Sequence, residues 1–236
     1  MYDARYLIIS LGNPFAKYKS LHSAGHFAIN GLPRVLNLPA FREAKYGKQR
    51  CQVSEGDKYT LIQSPTFMNV SGPFVLQAFK EACERHTRRT LGLLVVHDEM
   101  TRDFGAVRIE PWTRSSRGHN GMKSVKEHLN SESYPDVEFA RISIGIGRPR
   151  SKKPQDVADY VLADLSQQQR DFLENDAPAQ VGVRLSELAY HWENKWLRRL
   201  QRAVMFEKPS VVKALLNPSP VATTPSETTS KGTTTK

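Results

Sequence analysis

A histidine in a short polar turn, Leu21-His22-Ser23-Ala24-Gly25-His26, stands close behind Gly12-Asn13-Pro14. Its imidazole can take and return a proton near neutral pH. Other polar groups recur where apolar runs end or helical ones begin. Asn69 lies in Pro65-Thr66-Phe67-Met68-Asn69-Val70-Ser71-Gly72, His97-Asp98-Glu99 follows an apolar run at 91–96, and Gly118-His119-Asn120-Gly121 opens a helical stretch. One base, one carboxylate and several amides make a hydrolytic kit. A neutral imidazole deprotonates water, and a nearby carboxylate holds its tautomer and stabilises the imidazolium. Asparagine amides grip carbonyls or a developing oxyanion, and helix N-termini add positive potential there. No Gly-x-Ser-x-Gly nucleophile motif is present. Direct attack by water is therefore favoured over a covalent intermediate.

Each group also has a plain reading. His22 could be an ordinary turn histidine, Asn69 and Asn120 could cap helices, and Asp98 could terminate a strand. His97-Asp98-Glu99 could bind a metal, but it lacks the His-x-x-x-His or cysteine pair that such a site wants. The co-occurrence of these groups at strand and helix ends favours chemistry, because ligands bind beyond the strand ends of an open α/β sheet.

The elements that must position them follow from hydrophobic periodicity. Residues 6–11 read as a buried strand ended by Gly12-Asn13-Pro14, and a helix is expected over 24–36. Residues 49–54 and 59–63 form an expected hairpin around Glu55-Gly56-Asp57. Ser71-Gly72-Pro73 starts a helix, with Ser71 as expected N-cap and Val75, Leu76, Phe79 and Ala82 on one face. Residues 91–96, apolar on all sides, suit a central parallel strand, and 137–146 a further one. A helix is expected around 122–129. Residues 166–204 look mainly helical, with Ser166 and Gln169 at capping-box spacing and a break expected at Pro178. Helices between strands argue for an α/β sandwich.

The net charge of +10 and pI near 9.7 point to a polyanionic partner, nucleic acid before a membrane surface. Arg102, Arg108, Arg114, Arg117 and Lys123 flank the candidate site, and Arg148, Arg150, Lys152 and Lys153 follow the last strand. Such groups supply salt-dependent grip on phosphates with little sequence preference. Late in the chain, Leu185, Leu188, Trp192, Trp196 and Leu200 form an apolar stripe, opposite Lys195, Arg198, Arg199 and Arg202. Such a basic face is usually just solvated, the other reading being a role in touching RNA. The two cysteines, Cys51 and Cys83, make no disulfide framework, so a reducing compartment is expected. No apolar run is long enough to span a bilayer, and the N-terminus enters a strand-like run with no expected presequence. From 217 onward the chain is rich in Thr, Ser, Pro and Lys, and 207–236 is expected to be a disordered tail behind a domain over 1–206.

Taken in order, Gly12-Asn13-Pro14, Tyr18, His22-Ser23-Ala24-Gly25, the 65–72 stretch, His97-Asp98-Glu99, Gly118-His119-Asn120-Gly121-Met122-Lys123 and the segment RISIGIGRP at 141–149 resemble the bacterial-type peptidyl-tRNA hydrolases. The resemblance spans roughly 6–202, and the Thr-rich tail suggests a eukaryotic, fungal-like member. It implies a single-domain three-layer α/β/α sandwich around a mixed, largely parallel twisted sheet. It implies a monomer with no metal and no cofactor that cleaves the ester between a peptide and the 3′ end of tRNA. By position His22 matches the base and Asp98 its orienting carboxylate. Asn13, Tyr18, Met68, Asn69, His119 and Asn120 match substrate-binding residues. Arg108, Arg114, Arg117, Lys123 and Arg148 are the expected grip on the acceptor stem. The work would lie in the cytoplasm or mitochondria. Ser23 replaces a customary asparagine, Phe15 a usual glycine, and Trp112-Thr113-Arg114-Ser115-Ser116-Arg117 a glycine-rich loop. These departures motivate an alternative, a catalytically impaired RNA-binding protein on the same scaffold.

Overall fold

A computed structural model describes residues 4–14, 17–46 and 48–206. The expected tail at 207–236, and Phe15, lie outside the described residues. The chain runs β1 (Arg5–Ser10), a 3₁₀ turn (Leu21–Ser23), α1 (Ala24–Asn30), α2 (Leu32–Leu36), β2 (Arg42–Tyr46), β3 (Gln49–Glu55) and β4 (Tyr59–Gln63). A second 3₁₀ turn (Met68–Val70) leads into α3 (Ser71–Arg85), then β5 (Leu91–Glu99), β6 (Val107–Pro111), α4 (Asn120–His128) and β7 (Glu138–Gly145). Last come α5 (Pro154–Leu162), α6 (Gln167–Asp171), a π-helical turn (Phe172–Asp176) and α7 (Ala177–Phe206).

The strands form one seven-stranded sheet in the order β2-β3-β4-β1-β5-β7-β6. The central neighbours β4, β1, β5 and β7 are parallel, while β2, β3 and β6 add antiparallel edges. Alternation along the central strands divides the core. Ile8, Leu94, Val96 and Ile142 pack with Phe27, Leu185, Trp192 and Trp196, from α1 and α7, on one face. Leu7, Ile9, Leu93 and Val95 pack with Phe74, Phe79, Met122 and Val125, from α3 and α4, on the other. The result is the expected α/β/α sandwich. Every residue of β5 is buried, as a parallel strand covered on both faces requires.

Several expectations change. The helix expected over 24–36 divides at Gly31, because Pro33 has no N–H to continue the ladder and so stands in the first turn of a new helix; Gly31 also leaves room for Pro178, since a Cβ there would come within 2.4 Å of its Cγ. Pro178 does not end the late helical run; it lies directly behind the π-helical turn inside a continuous helix over 167–206, and the widened turn accommodates a residue with no N–H to donate. Ser71 is not an N-cap. It is the first residue of α3, and its hydroxyl donates back to the carbonyls of Phe67 and Met68 at 3.2 and 3.0 Å. β2 and β6 were not expected, since their charged edge sequences, REAKY and VRIEP, carry too little apolar contrast. β5 runs three residues beyond the apolar segment, so His97, Asp98 and Glu99 pair with Ser143, Ile144 and Gly145 of β7.

One glycine sets how closely the first helix approaches the strand ends. A Cβ on Gly25 would lie 2.7 Å from both Leu11 O and Val96 O, which are backbone atoms that cannot step aside. Without that Cβ, α1 starts directly on the ends of β1 and β5. Gly25→Ala is expected to destabilise the protein by about 1–3 kcal/mol through overpacking. Chemical denaturation measures this, and an unchanged midpoint would show that α1 can shift without cost.

Candidate active site

The site forms at the ends of the paired strands β1 and β5, whose outgoing connections lead to opposite sides of the sheet, the point at which an open α/β sheet leaves a crevice. His22 is in the 3₁₀ turn between β1 and α1. Asp98 lies one residue from the end of β5 and is 1% exposed. His119 is the N-cap of α4. These segments meet on the carboxylate. His22 Nδ1 is 3.0 Å from both Asp98 oxygens, and His119 Nε2 is 2.9 Å from Oδ1.

The hydrogen bonds determine both tautomers. The backbone N–H of Met122 donates to His119 Nδ1 at 3.1 Å, so the proton of a neutral His119 is on Nε2 and is donated to Asp98. His22 likewise donates from Nδ1, which leaves Nε2 as its basic atom. Burial alone would raise the Asp98 pKa, but the charges and hydrogen bonds of His22 and His119 outweigh it and hold the carboxyl well below its usual range. Burial pulls the His22 imidazole down, and the Asp98 charge and hydrogen bond more than reverse this, so its pKa is raised above 6.5.

His97 is a different case. It is fully inside, and burial, followed by the nearby His119, pushes its pKa down to about 3. Its Nδ1 donates to the Asp98 carbonyl at 2.6 Å, and its ring stands edge-on to His119 at 4.9 Å. It is a neutral wall behind the carboxylate. The metal alternative therefore moves. Among the described residues, His22, Asp98 and His119, not His97-Asp98-Glu99, are the groups whose ligand atoms lie within 4.8 Å of one another. Those atoms are committed to each other by hydrogen bonds, which an ion would have to replace.

A cavity of about 440 Å³ opens in front of His22 and Asp98. Met68, Asn69, His119 and Asn120 line one side, and Val157, Val161 and Leu162 of α5 form an apolar wall. Asn69 and Asn120 are exposed at the rim and cap no helix: Val70 and His119 hold the N-cap positions of α3 and α4. Asn13 and Tyr18 do not line the cavity. Asn13 is buried behind it, where its Oδ1 accepts the Met68 N–H at 3.1 Å and its own N–H donates to Ser23 Oγ at 3.1 Å. Tyr18 stacks on His26 and packs tilted against Phe27, and its hydroxyl accepts from Asn30.

The expected tRNA-gripping cations divide similarly. Arg117 lines the cavity in a left-handed conformation, φ 47°, with its guanidinium donating to Thr101 Oγ1 at 2.7 Å. Arg108, Lys123 and Arg148 are exposed. Arg114 is tied to buried Glu110, which Arg102 also contacts at 3.2 Å. Arg141 was not singled out by itself in the sequence. It is 2% exposed and donates to the carbonyls of Pro111 and Arg114, fastening the loop that leads to His119 and Asn120. An arginine inside an otherwise apolar strand was its visible mark. The α5 wall carried no such mark, being an ordinary amphipathic helix.

The peptidyl-tRNA hydrolase family model matches residues 7–202. The chain is 31% identical over 170 residues to the peptidyl-tRNA hydrolase of Clostridium acetobutylicum, covering 72% of this chain and 83% of that protein. It is 35% identical over 161 residues to the enzyme of Geobacter metallireducens, covering 68% and 76%. The crystal structure of peptidyl-tRNA hydrolase from Acinetobacter baumannii shares the fold, with a TM-score of 0.62 at 23% identity over 84% of this chain and 94% of that one. The chain belongs to the peptidyl-tRNA hydrolase family.

Proposed function

We propose that this protein hydrolyses the ester joining a peptide to the 3′ end of tRNA, with His22 as base and Asp98 as its orienting carboxylate. The observation that carries this reading is the His22–Asp98 contact at 3.0 Å, set in a cavity with exposed asparagine amides at its rim. His22 Nε2 takes a proton from a water as the water oxygen attacks the ester carbonyl carbon. The imidazolium so formed is stabilised by Asp98, itself steadied by His119. Asn69 and Asn120 donate to the carbonyl oxygen as it becomes an oxyanion, and α4 begins at Asn120, adding positive potential. Collapse breaks the bond to the ribose oxygen, and the imidazolium returns its proton there. The products are a peptide acid and free tRNA.

The chain supplies base, orienter and oxyanion donors itself, so the reaction requires no metal or cofactor. Asn13 and Tyr18 act behind the cavity, Asn13 by fixing the turn that presents Met68 and Asn69. Arg108, Arg117, Lys123 and Arg148 hold the acceptor stem, and Arg114 acts by securing the loop. The enzyme works as a monomer, with the catalytic domain over 1–206. Both cysteines are free and buried, which suits a reducing cytoplasm or mitochondrion. Among the described residues no helix is long and apolar enough to cross a membrane. No observation favours the impaired RNA-binding alternative.

His22→Ala is expected to lower kcat for peptide release from N-acetyl-aminoacyl-tRNA by roughly 10²-fold or more. Release at the native rate would remove His22 from its role. The pH profile has a definite sign. The base works only when neutral, and its pKa is raised, so the acid limb of kcat/KM should fall at a pH above 6.5. Asp98→Asn removes the raising contributions and leaves burial, so the limb should move to lower pH while the plateau drops; a limb that stays in place contradicts the pairing. Substrate binding should also weaken by about 10³-fold between 50 and 200 mM salt if six phosphates are contacted. A flat salt response would separate the basic residues from the tRNA.

A further inference from the structure

A second basic cleft lies at the far end of the sheet. The C-terminal half of α7 crosses the N-terminal ends of the parallel strands: Tyr6 at the start of β1 stacks on Trp192 and Trp196, a Cβ on Gly92 of β5 would meet Trp192, and Glu138 opens β7 beneath Lys195. The outer side of this stretch forms an open cavity of about 500 Å³, lined by Tyr190, His191, Lys195, Arg198, Arg199 and Arg202 among others. Along β5, the six residue steps from Gly92 to Asp98 span roughly 20 Å at about 3.3 Å each. The cleft is therefore separate from the hydrolytic centre.

Its charge is not balanced locally. Lys195 and Arg199 share one carboxylate, Glu138, at 2.7 and 3.3 Å. Glu193 faces the other way, bound to Lys58 and Tyr6. Neither Arg198 nor Arg202 has a carboxylate within ion-pairing distance among the described residues. Like charges at i,i+3 and i,i+4, as in 195/199, 198/202 and 199/202, destabilise a helix by about 0.2–0.5 kcal/mol per pair. The helix dipole favours cations only in the last turn, and so accounts for none of Lys195, Arg198, Arg199 and Arg202, since α7 continues to Phe206 and its last turn holds no basic residue. Tyr190, 75% exposed, stands beside the cations and offers a stacking face and a hydroxyl donor. Unbalanced guanidinium groups around an open aromatic match the phosphates and sugars of nucleic acid.

We propose that this α7 cleft is a second phosphate-backbone site, which grips the body of the tRNA away from the reacting 3′ end. The inference rests on the function proposed above. An A-form RNA stem rises somewhat less than the roughly 3.4 Å per base pair of B-DNA, so about 20 Å corresponds to roughly seven base pairs. A tRNA whose 3′ end occupies the cavity reaches the cleft with its paired region. The cleft would then confer a preference for whole tRNA over short esters carrying the same reacting bond.

The test compares the native full chain with Arg198→Glu/Arg202→Glu on two substrates: full-length N-acetyl-aminoacyl-tRNA, and the same acyl ester on the 3′-terminal CCA trinucleotide. Equilibrium binding of uncharged tRNA is measured across salt in parallel. The expected result is a KM for full-length tRNA raised by about tenfold or more, kcat unchanged, unchanged kinetics on the trinucleotide, and a salt slope shallower by about 2. Arg198→Lys/Arg202→Lys should keep most of the native affinity. Unchanged KM and salt slope in the glutamate variant would overturn the proposal, as would an equal loss on the trinucleotide, which would place the effect in the fold. If the native chain cleaves neither substrate, the proposed function fails, and the binding comparison alone decides the cleft.

Discussion

A buried carboxylate is the constraint on which the site depends. Asp98 is almost wholly removed from water, and a charge in that position is tolerated only when paired and hydrogen-bonded. It is satisfied by imidazoles from different parts of the chain, one in the turn after β1 and one at the head of α4. Removing one partner of such a buried pair typically costs about 3–5 kcal/mol. The same interaction therefore closes the end of the sheet, sets the tautomers of two histidines and raises the basicity of His22. Structural need and chemical use coincide in one group.

The surroundings keep that geometry from drifting. Gly25 allows α1 to begin against the carbonyls of Leu11 and Val96, which brings His22 within reach of β5. Asn13 and Ser23 tie the turn after β1 to the Met68–Val70 turn, so the base and Asn69 are held by one set of hydrogen bonds. On the other side Arg141 and Glu110 anchor the loop before His119 from within the sheet. The Ser23 hydroxyl accepts the Asn13 N–H, so the residue marked as a departure in the sequence takes part in holding the turn.

The molecule also has polarity from end to end. The C-terminal ends of the parallel strands carry the proposed catalytic groups with a few surrounding cations. The N-terminal ends are covered by α7, where indoles fill the core side and arginines crowd the solvent side. Cations thus stand both beside the cavity and in the α7 cleft, at opposite ends of the parallel strands.

Much of this was legible in the sequence because it rests on local rules. The apolar run at 91–96 could only be a covered strand, the Leu185–Trp196 stripe could only face a core, and the spacing of Ser166 and Gln169 produced a capping box. Candidate groups His22, Asp98, Asn69 and Asn120 stood out because polar residues punctuated those patterns. The edge strands β2 and β6 escaped because they face solvent, and their sequences lack the contrast that burial imposes. Roles were less legible than positions. Asn13 and Tyr18 were expected in the cleft and lie behind it; Arg114 was expected to face RNA and is bound to Glu110; His119 was expected to line the cavity and also grips the carboxylate. Periodicity and residue type alone determined the elements and the chemical inventory, since both follow from which side chains avoid water. Only the tertiary structure decided which imidazole keeps a free nitrogen, which cations are already neutralised and which amides reach the cavity, because those depend on partners far apart in the chain.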